Sequence, residues 1–240
     1  MRQIQLHTDL EQGSDEWHKL RLGKITGSCF YKLLGTKAAR EKYLYDRANE
    51  IVTGCKSDGE EYVNIHIQRG WEYEAIARAE YITDTFTAVD EVGLAQLGDY
   101  IACSPDGLVG EDGMIEIKIL DSNNYFRQVI EVSKKGVEAI ASEHYMQMQF
   151  NLFVCGRQWC DYVLYNPKHA AIGKGLFIRR VEYDSIMQSR IAQVVDECIP
   201  IMNEYVSQYH AIFGSKPYLV KLFDEYTGIV NKTLNEGGMI

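Results

Sequence analysis

The stretch Met114-Ile115-Glu116-Ile117-Lys118-Ile119 constrains this 240-residue chain more than any other. Side chains along a strand alternate faces with a period of two, so Ile115, Ile117 and Ile119 share one face and can enter a core. Glu116 and Lys118 then share the other face, one carboxylate beside one ammonium. Upstream, Ser104-Pro105-Asp106-Gly107 closes the preceding strand at a Pro/Gly turn, and a hairpin brings Asp106 beside Glu116. Two carboxylates and an ammonium at strand ends suit a hard divalent cation with oxygen ligands. Such a cation offsets phosphate charge and lowers the pKa of a bound water, which the lysine can orient or deprotonate. An isolated Glu-x-Lys is more commonly a surface pair on a half-exposed strand; the Pro-Asp-Gly element one hairpin earlier favours a nuclease centre instead.

The periodicity around this strand predicts an alternation of helices and strands. Thr26 to Leu34 reads as a short helix capped by Thr26, and Ala39 to Thr53 as a helix stopped at Gly54. Glu61 to Thr83 is helical, with a stripe of Ile67, Trp71, Ala75 and Ile82. The period then changes. Phe86 to Leu97, Tyr100 to Ser104 and Met114 to Leu120 read as strands, with turns at Gly98-Asp99 and Gly110 to Gly113. Ser122 can cap a helix to Val132, and Val137 to Val154 forms another ended by Gly156. Gln158 to Tyr165 and Gly175 to Tyr183 read as the last strands, and Asp184 opens a C-terminal helix. The expected fold is α/β (α+β), a central mixed β-sheet flanked by helices. With no repeat or Gly/Ser-rich linker, residues 1–240 are expected to form a single domain.

Charge first argues against a nucleic-acid partner, since the net value is −9. Its distribution reverses that impression. Lys19 to Lys42 holds seven basic residues against Glu41 alone, and Arg157 to Arg180 five against one acid. Glu74 to Asp112 holds nine acids and only Arg78. Solvated charge runs give such a bias, and so does an acidic metal site between basic surfaces that follow a nucleic-acid backbone. The six cysteines include no C-x-x-C pair, so a zinc ribbon or redox motif is not expected; Cys29, Cys103 and Cys155 read as core residues of a reduced, cytosolic protein. No run of about 18 apolar residues and no signal-like N-terminus occur, so no membrane association is expected.

Two further residues bear on the site. Glu74 lies on the inward stripe beside Trp71 and Ala75, and its carboxylate needs a partner: a metal, or Arg78 at i+4. Gln149 falls on a stripe with Tyr145, Met148 and Leu152, a polar group among apolar ones; it can hold water or phosphate, or be an ordinary capped glutamine.

Taken in order, these blocks resemble the lambda exonuclease family, the phage alkaline exonucleases of the PD-(D/E)xK superfamily. The matching blocks are the run from Gln12 to Ser28, Gly70-Trp71-Glu72-Tyr73-Glu74, Ala102 to Leu108, Glu116-Ile117-Lys118, and Tyr145-Met146-Gln147-Met148-Gln149. The likeness spans about Glu11 to Tyr183; the stretch from about Tyr209 to Ile240 matches nothing. The resemblance implies a restriction-endonuclease-like core and processive digestion of linear double-stranded DNA from a 5′-phosphorylated end to mononucleotides, leaving a 3′ overhang. It implies two Mg2+ ions, replaceable by Mn2+. Asp106, Glu116 and the carbonyl of Ile117 would bind one, Glu74 with Asp106 the other, while Lys118 activates the attacking water and Gln149 holds it or the adjacent phosphate. The family's 5′-phosphate pocket falls on Arg21, Ser28 and Ser104, and the basic block from Lys19 to Lys42 favours this over a solvated helix residue for Arg21. Its strand-separating wedge falls on Ile67, which also fits the core stripe. The resemblance further implies a homotrimeric ring, a single-strand-annealing protein as partner, and a phage or prophage protein acting in the bacterial cytoplasm. The competing readings are a restriction- or repair-type endonuclease of the same superfamily and a non-catalytic DNA-end-binding module.

Overall fold

The computed structural model describes residues 4–57 and 65–213, with residues 65–72 described by backbone alone. The chain begins with β1 (Ile4–His7), α1 (Asp15–Arg21), the two-residue β2 (Ile25–Thr26) and a 3-10 segment (Gly27–Leu34). Helices α2 (Lys37–Thr53) and α3 (Ile65–Thr85) follow, then β3 (Leu94–Leu97), β4 (Ile101–Cys103), β5 (Gly107–Val109) and β6 (Gly113–Ile119). Next come α4 (Ser122–Lys135), a 3-10 turn (Gly136–Ala139), α5 (Ser142–Cys155), β7 (Trp159–Tyr165), α6 (Pro167–Ala170), β8 (Leu176–Glu182) and α7 (Ser185–Phe213). The expected mixed sheet flanked by helices is present, divided into two four-stranded sheets in the orders β1-β3-β4-β2 and β5-β6-β7-β8. An isolated bridge, Asp90 to Leu108, ties β5 to the segment before β3.

Local chemistry sets the boundaries. Thr36 caps α2 by accepting from the Ala39 amide, and Gly54 ends it in the left-handed region. Asp121, and not Ser122, caps α4: its carboxylate accepts from the amides of Asn123 and Asn124. Asp184 does the same for α7 through Ile186 and Met187. Thr26 precedes a 3-10 segment, not an α-helix, and its side chain makes no capping bond. The expected helix from Val137 to Val154 is interrupted, because Ile140 leaves helical geometry between the 3-10 turn and α5. The expected strand from Phe86 survives only at Leu94–Leu97; Phe86 has φ 53° and is 94% exposed.

Strand β6 is central to the second sheet. It pairs antiparallel with β5 and parallel with β7, so α4 and α5 form the crossover between them. Gly113 begins it under the Trp159 ring, where a Cβ would stand 2.0 Å from a ring carbon. On one face Ile115 and Ile117 pack with Val109, Val163, Tyr165 and, from α3, Ala77 and Tyr81. Burying each isoleucine contributes about 1.5–3 kcal/mol. Met114, on the other face, joins the larger core with Met148, Leu152 and Tyr162. The expected stripe of α3 is thereby corrected: Ala75 and Ile82 are exposed, while Ala77 and Tyr81 turn inward. Trp71 and Ile67 lie among residues 65–72, whose side chains fall outside the described residues. The six cysteines are free, and Cys103 and Cys155 bring their sulfurs to 3.6 Å in the core. Among the described residues no helix is long and apolar enough to cross a membrane.

Candidate active site

Pairing between β5 and β6 stops at Gly107 opposite Ile115. The next partner in register for Ile117 would be Pro105, which has no amide hydrogen to offer a ladder. Asp106 takes over that edge: its Oδ2 accepts from the Ile117 amide at 2.6 Å. A residue's N–H and C=O leave a strand on the same side, so the Ile117 carbonyl faces this open edge as well. The sequence therefore places Asp106 through a turn residue that cannot continue the sheet.

Glu116 points the other way, under α5, and is 1% exposed. Each oxygen is assigned. Oε1 accepts from Lys118 Nζ at 2.6 Å and from Gln147 Nε2 at 2.6 Å; Oε2 accepts from Asn151 Nδ2 at 3.1 Å. Lys118 also donates to Gln147 Oε1 at 3.2 Å, closing a ring of three polar side chains. Gln149 is not among them, which corrects its expected role. It is fully buried, but it donates to the Glu182 carbonyl and accepts from the Asp184 amide and the Gln188 side chain. Gln149 thus joins β8 to α7, and Gln147, two residues and about 200° earlier on the helix, faces the site. The spacing held a signal for this: His144, Gln147 and Asn151 form a polar stripe at i, i+3 and i+7 on α5, a stripe that excludes Gln149.

Glu74 reaches the same region from α3. Arg78 binds it through Nη2 at 2.8 Å, as the i+4 spacing allowed, and also donates from Nε to the Asp106 carbonyl at 2.9 Å and from Nη1 to Glu91 at 2.7 Å. One guanidinium thus holds both the Glu74 carboxylate and the Asp106 backbone. Burial, followed by the charges of Glu116 and Glu74, pushes the Asp106 carboxyl well above the usual carboxylate range. Burial also raises Glu74, with Arg78 opposing and Glu116 adding to the rise. For Lys118, burial works downward, but Glu116, Asp106 and Glu74 outweigh it and raise the ammonium. A cleft of about 660 Å³ opens beside Glu74 and Asp106, bounded by Arg78, Glu91, Gln12 and Pro105.

Among the described residues, no three acidic, histidine or cysteine side chains are already gathered as a metal cage. The donor chemistry nevertheless fits a hard divalent ion. Three carboxylates, two of them raised by burial and by their acidic neighbours, share Lys118 and Arg78 as their cations, and Asp106 Oδ1 takes no hydrogen bond from any described residue.

A second cluster adjoins the first. Arg21, at the end of α1, donates to Ser104 Oγ at 3.2 Å and lies 4.2 Å over the Trp17 ring. Trp17 donates to the same Oγ at 2.8 Å and to the Gly93 carbonyl at 3.0 Å. Burial lowers the Arg21 pKa, and no carboxylate among the described residues pairs with it. A half-buried guanidinium without a carboxylate partner among the described residues is suited to receive an anion. Trp17 was not singled out from sequence, although its indole fixes the serine that Arg21 uses. Ser28 is exposed at the start of the 3-10 segment and has no hydrogen bond to Arg21 or Ser104.

The profile of the YqaJ-like viral recombinase domain matches residues 16–158, more than half of the chain. The chain belongs to that family. No curated protein sequence matches it. Among solved structures, this recombinase-family chain is similar to an alkaline exonuclease, LHK-Exo, from Laribacter hongkongensis, at 32% identity with a TM-score of 0.71. The match covers 84% of this chain and 100% of that one. The same exonuclease has been solved in complex with dAMP, again at 32% identity and a TM-score of 0.71, covering 82% and 97%. A phage-related exonuclease from Haemophilus somnus 129PT shares the fold, at 15% identity and a TM-score of 0.60, covering 78% and 96%. Every residue of both clusters, from Trp17 to Asn151, falls inside the stretch matched by the recombinase profile.

Proposed function

We propose that this chain digests one strand of linear double-stranded DNA from its 5′ end, releasing mononucleotides and leaving a 3′ overhang for recombination by strand annealing. That it is an exodeoxyribonuclease follows from kinship, through its family and the 32% identical alkaline exonuclease whose full length it covers. The finer reading is supported above all by the spacing between the two clusters. Ser104, the acceptor for Arg21, stands two residues before Asp106, at most about 7 Å along the backbone. That is about the reach of one nucleotide. A terminal phosphate held by Arg21 and Ser104, with Ser28 closing from the 3-10 segment, sets the next phosphodiester against Asp106 and Glu116.

Asp106, Glu116 and the Ile117 carbonyl would hold one Mg2+ ion, and Glu74 with Asp106 would help hold a second; Mn2+, equally suited to oxygen ligands, would substitute. Bound there, such ions supply charge for the phosphate and a water of lowered pKa. The chain's own residues do the rest. Lys118, its charge sustained by the carboxylates, fixes Glu116 and Gln147 and would orient the attacking water. Arg78 keeps the Asp106 backbone and Glu74 in register. A ring of three copies around the duplex would keep an acidic protein on DNA by topology, without a large salt-sensitive affinity. In the bacterial cytoplasm an annealing protein would take the exposed strand.

The test uses labelled linear duplexes with 5′-phosphate or 5′-hydroxyl ends, and a closed circle, each with Mg2+ or chelator. Mg2+-dependent mononucleotide release from the phosphorylated 5′ strand is expected, with the circle intact. Cutting of the circle would replace this reading with an endonuclease, and end binding without cleavage with a binding module.

A further inference from the structure

The least explained atom near the site is Asn151 Oδ1. Asn151 is 1% exposed, and its Nδ2 donates to Glu116 Oε2, yet its Oδ1 is buried with no partner among the described residues. Turning the amide over is no remedy, because it would set Oδ1 against a carboxylate. A buried unpaired carbonyl calls for an explanation, and functional sites are where such groups persist. The orphan oxygen lies against Gly27: a Cβ at that glycine would stand 2.1 Å from Oδ1 and 3.2 Å from Cγ. Gly27 does not have a positive φ, so its backbone does not require glycine. The space for Asn151 does.

We propose that Asn151 is a positioning residue for Glu116, wedged between that carboxylate and the Gly27 backbone so that Oε2 is fixed. Lys118 and Gln147 secure only Oε1, and a carboxylate held at one oxygen still swings about its last torsion. The same wedge ties β6 to the segment that carries Ser28, so seating of a terminal phosphate and alignment of the metal-binding carboxylate share one contact. This rests on the reading of Glu116 as a metal ligand.

The test compares wild type, Asn151→Ala, Gly27→Ala and the double variant. Mn2+ binding is measured on DNA-free protein by electron paramagnetic resonance, together with the half-saturating Mg2+ for digestion and the Tm. Loss of an outer support of a metal ligand weakens binding by about 10–100-fold, and Asn151→Ala is expected in that range, with half-saturating Mg2+ rising in parallel. Gly27→Ala should do the same, because its methyl takes the place of Oδ1. The double variant should bind no worse than Asn151→Ala, since both act through one contact. A lowered Tm with unchanged Mn2+ affinity would reduce Asn151 to packing and overturn the proposal. If Asn151→Ala does not fold, unchanged Mn2+ affinity in Gly27→Ala overturns it equally. Wild type that binds no Mn2+ would sink the proposed function, and this proposal with it; equal, tight binding by all four proteins sinks the proposal alone.

Discussion

On one face of β6, Ile115 and Ile117 meet Ala77 and Tyr81 of α3 in an apolar cluster; on the other, Glu116 is as deeply buried, but every oxygen has an assigned donor. The first face is held by area removed from water, which is indifferent to direction. The second is held by geometry, because a buried polar group left unpaired costs about 1–3 kcal/mol. Burial alone therefore does not distinguish a core position from a catalytic one on this strand. Truncation on the apolar face should cost stability and spare the chemistry, whereas truncation on the polar face should do the reverse.

The largest effect on rate is expected at Lys118. Lys118→Ala should slow digestion about a thousandfold while duplex binding, followed by gel shift, persists. Undiminished hydrolysis would break the comparison at once. A smaller effect separates two glutamines of α5. Gln147→Ala, which loses a donor to Glu116, should lower the rate about 10–100-fold with little change in Tm. Gln149→Ala should lower the Tm by freeing the Asp184 amide and Gln188, and leave the rate per folded molecule unchanged. Reversed outcomes would return Gln149 to the site.

These two residues also mark the limit of what the sequence disclosed. The alternation of β6, the Pro-Asp-Gly turn and the Glu74–Arg78 spacing were all legible, because each is a local constraint with few solutions. Which side of α5 faces β6 was signalled only by the stripe of His144, Gln147 and Asn151, because that helix is covered on several sides and Gln149 lies on a competing stripe. The same holds for α3, whose inward face carries Ala77 and Tyr81 while Ala75 and Ile82 stay outside. Phe86 to Val92 has strand-like composition, but it finds a partner only at the isolated Asp90–Leu108 bridge, and the continuous strand is confined to Leu94–Leu97. Trp17 could not be read as a support for Ser104, since 87 residues separate them in sequence.

Two further substitutions sharpen the contrast. Arg21→Ala should reduce the advantage of 5′-phosphorylated over hydroxyl ends by about tenfold, the worth of a charge-assisted hydrogen bond, and leave hydroxyl ends nearly unaffected. Competition between the two substrates in one reaction measures it; a full preference in the variant would place the pocket elsewhere. The smallest effect on rate is expected from Ile115→Ala. It should cost about 2–5 kcal/mol in denaturant unfolding, yet digestion per folded molecule should match wild type. A rate loss exceeding the loss of folded protein would show that the apolar face also sets the chemistry.

The account stands most directly on Glu116→Gln, an isosteric change that removes the charge and preserves the shape. Mg2+-dependent release of mononucleotides from a 5′-phosphorylated linear duplex is measured beside the Tm of the same preparation. The expected result is a Tm within a few degrees of wild type and a rate lower by at least about a hundredfold. A folded Glu116→Gln protein that digests the duplex at the wild-type rate would contradict the assignment of the polar face of β6 as the catalytic centre.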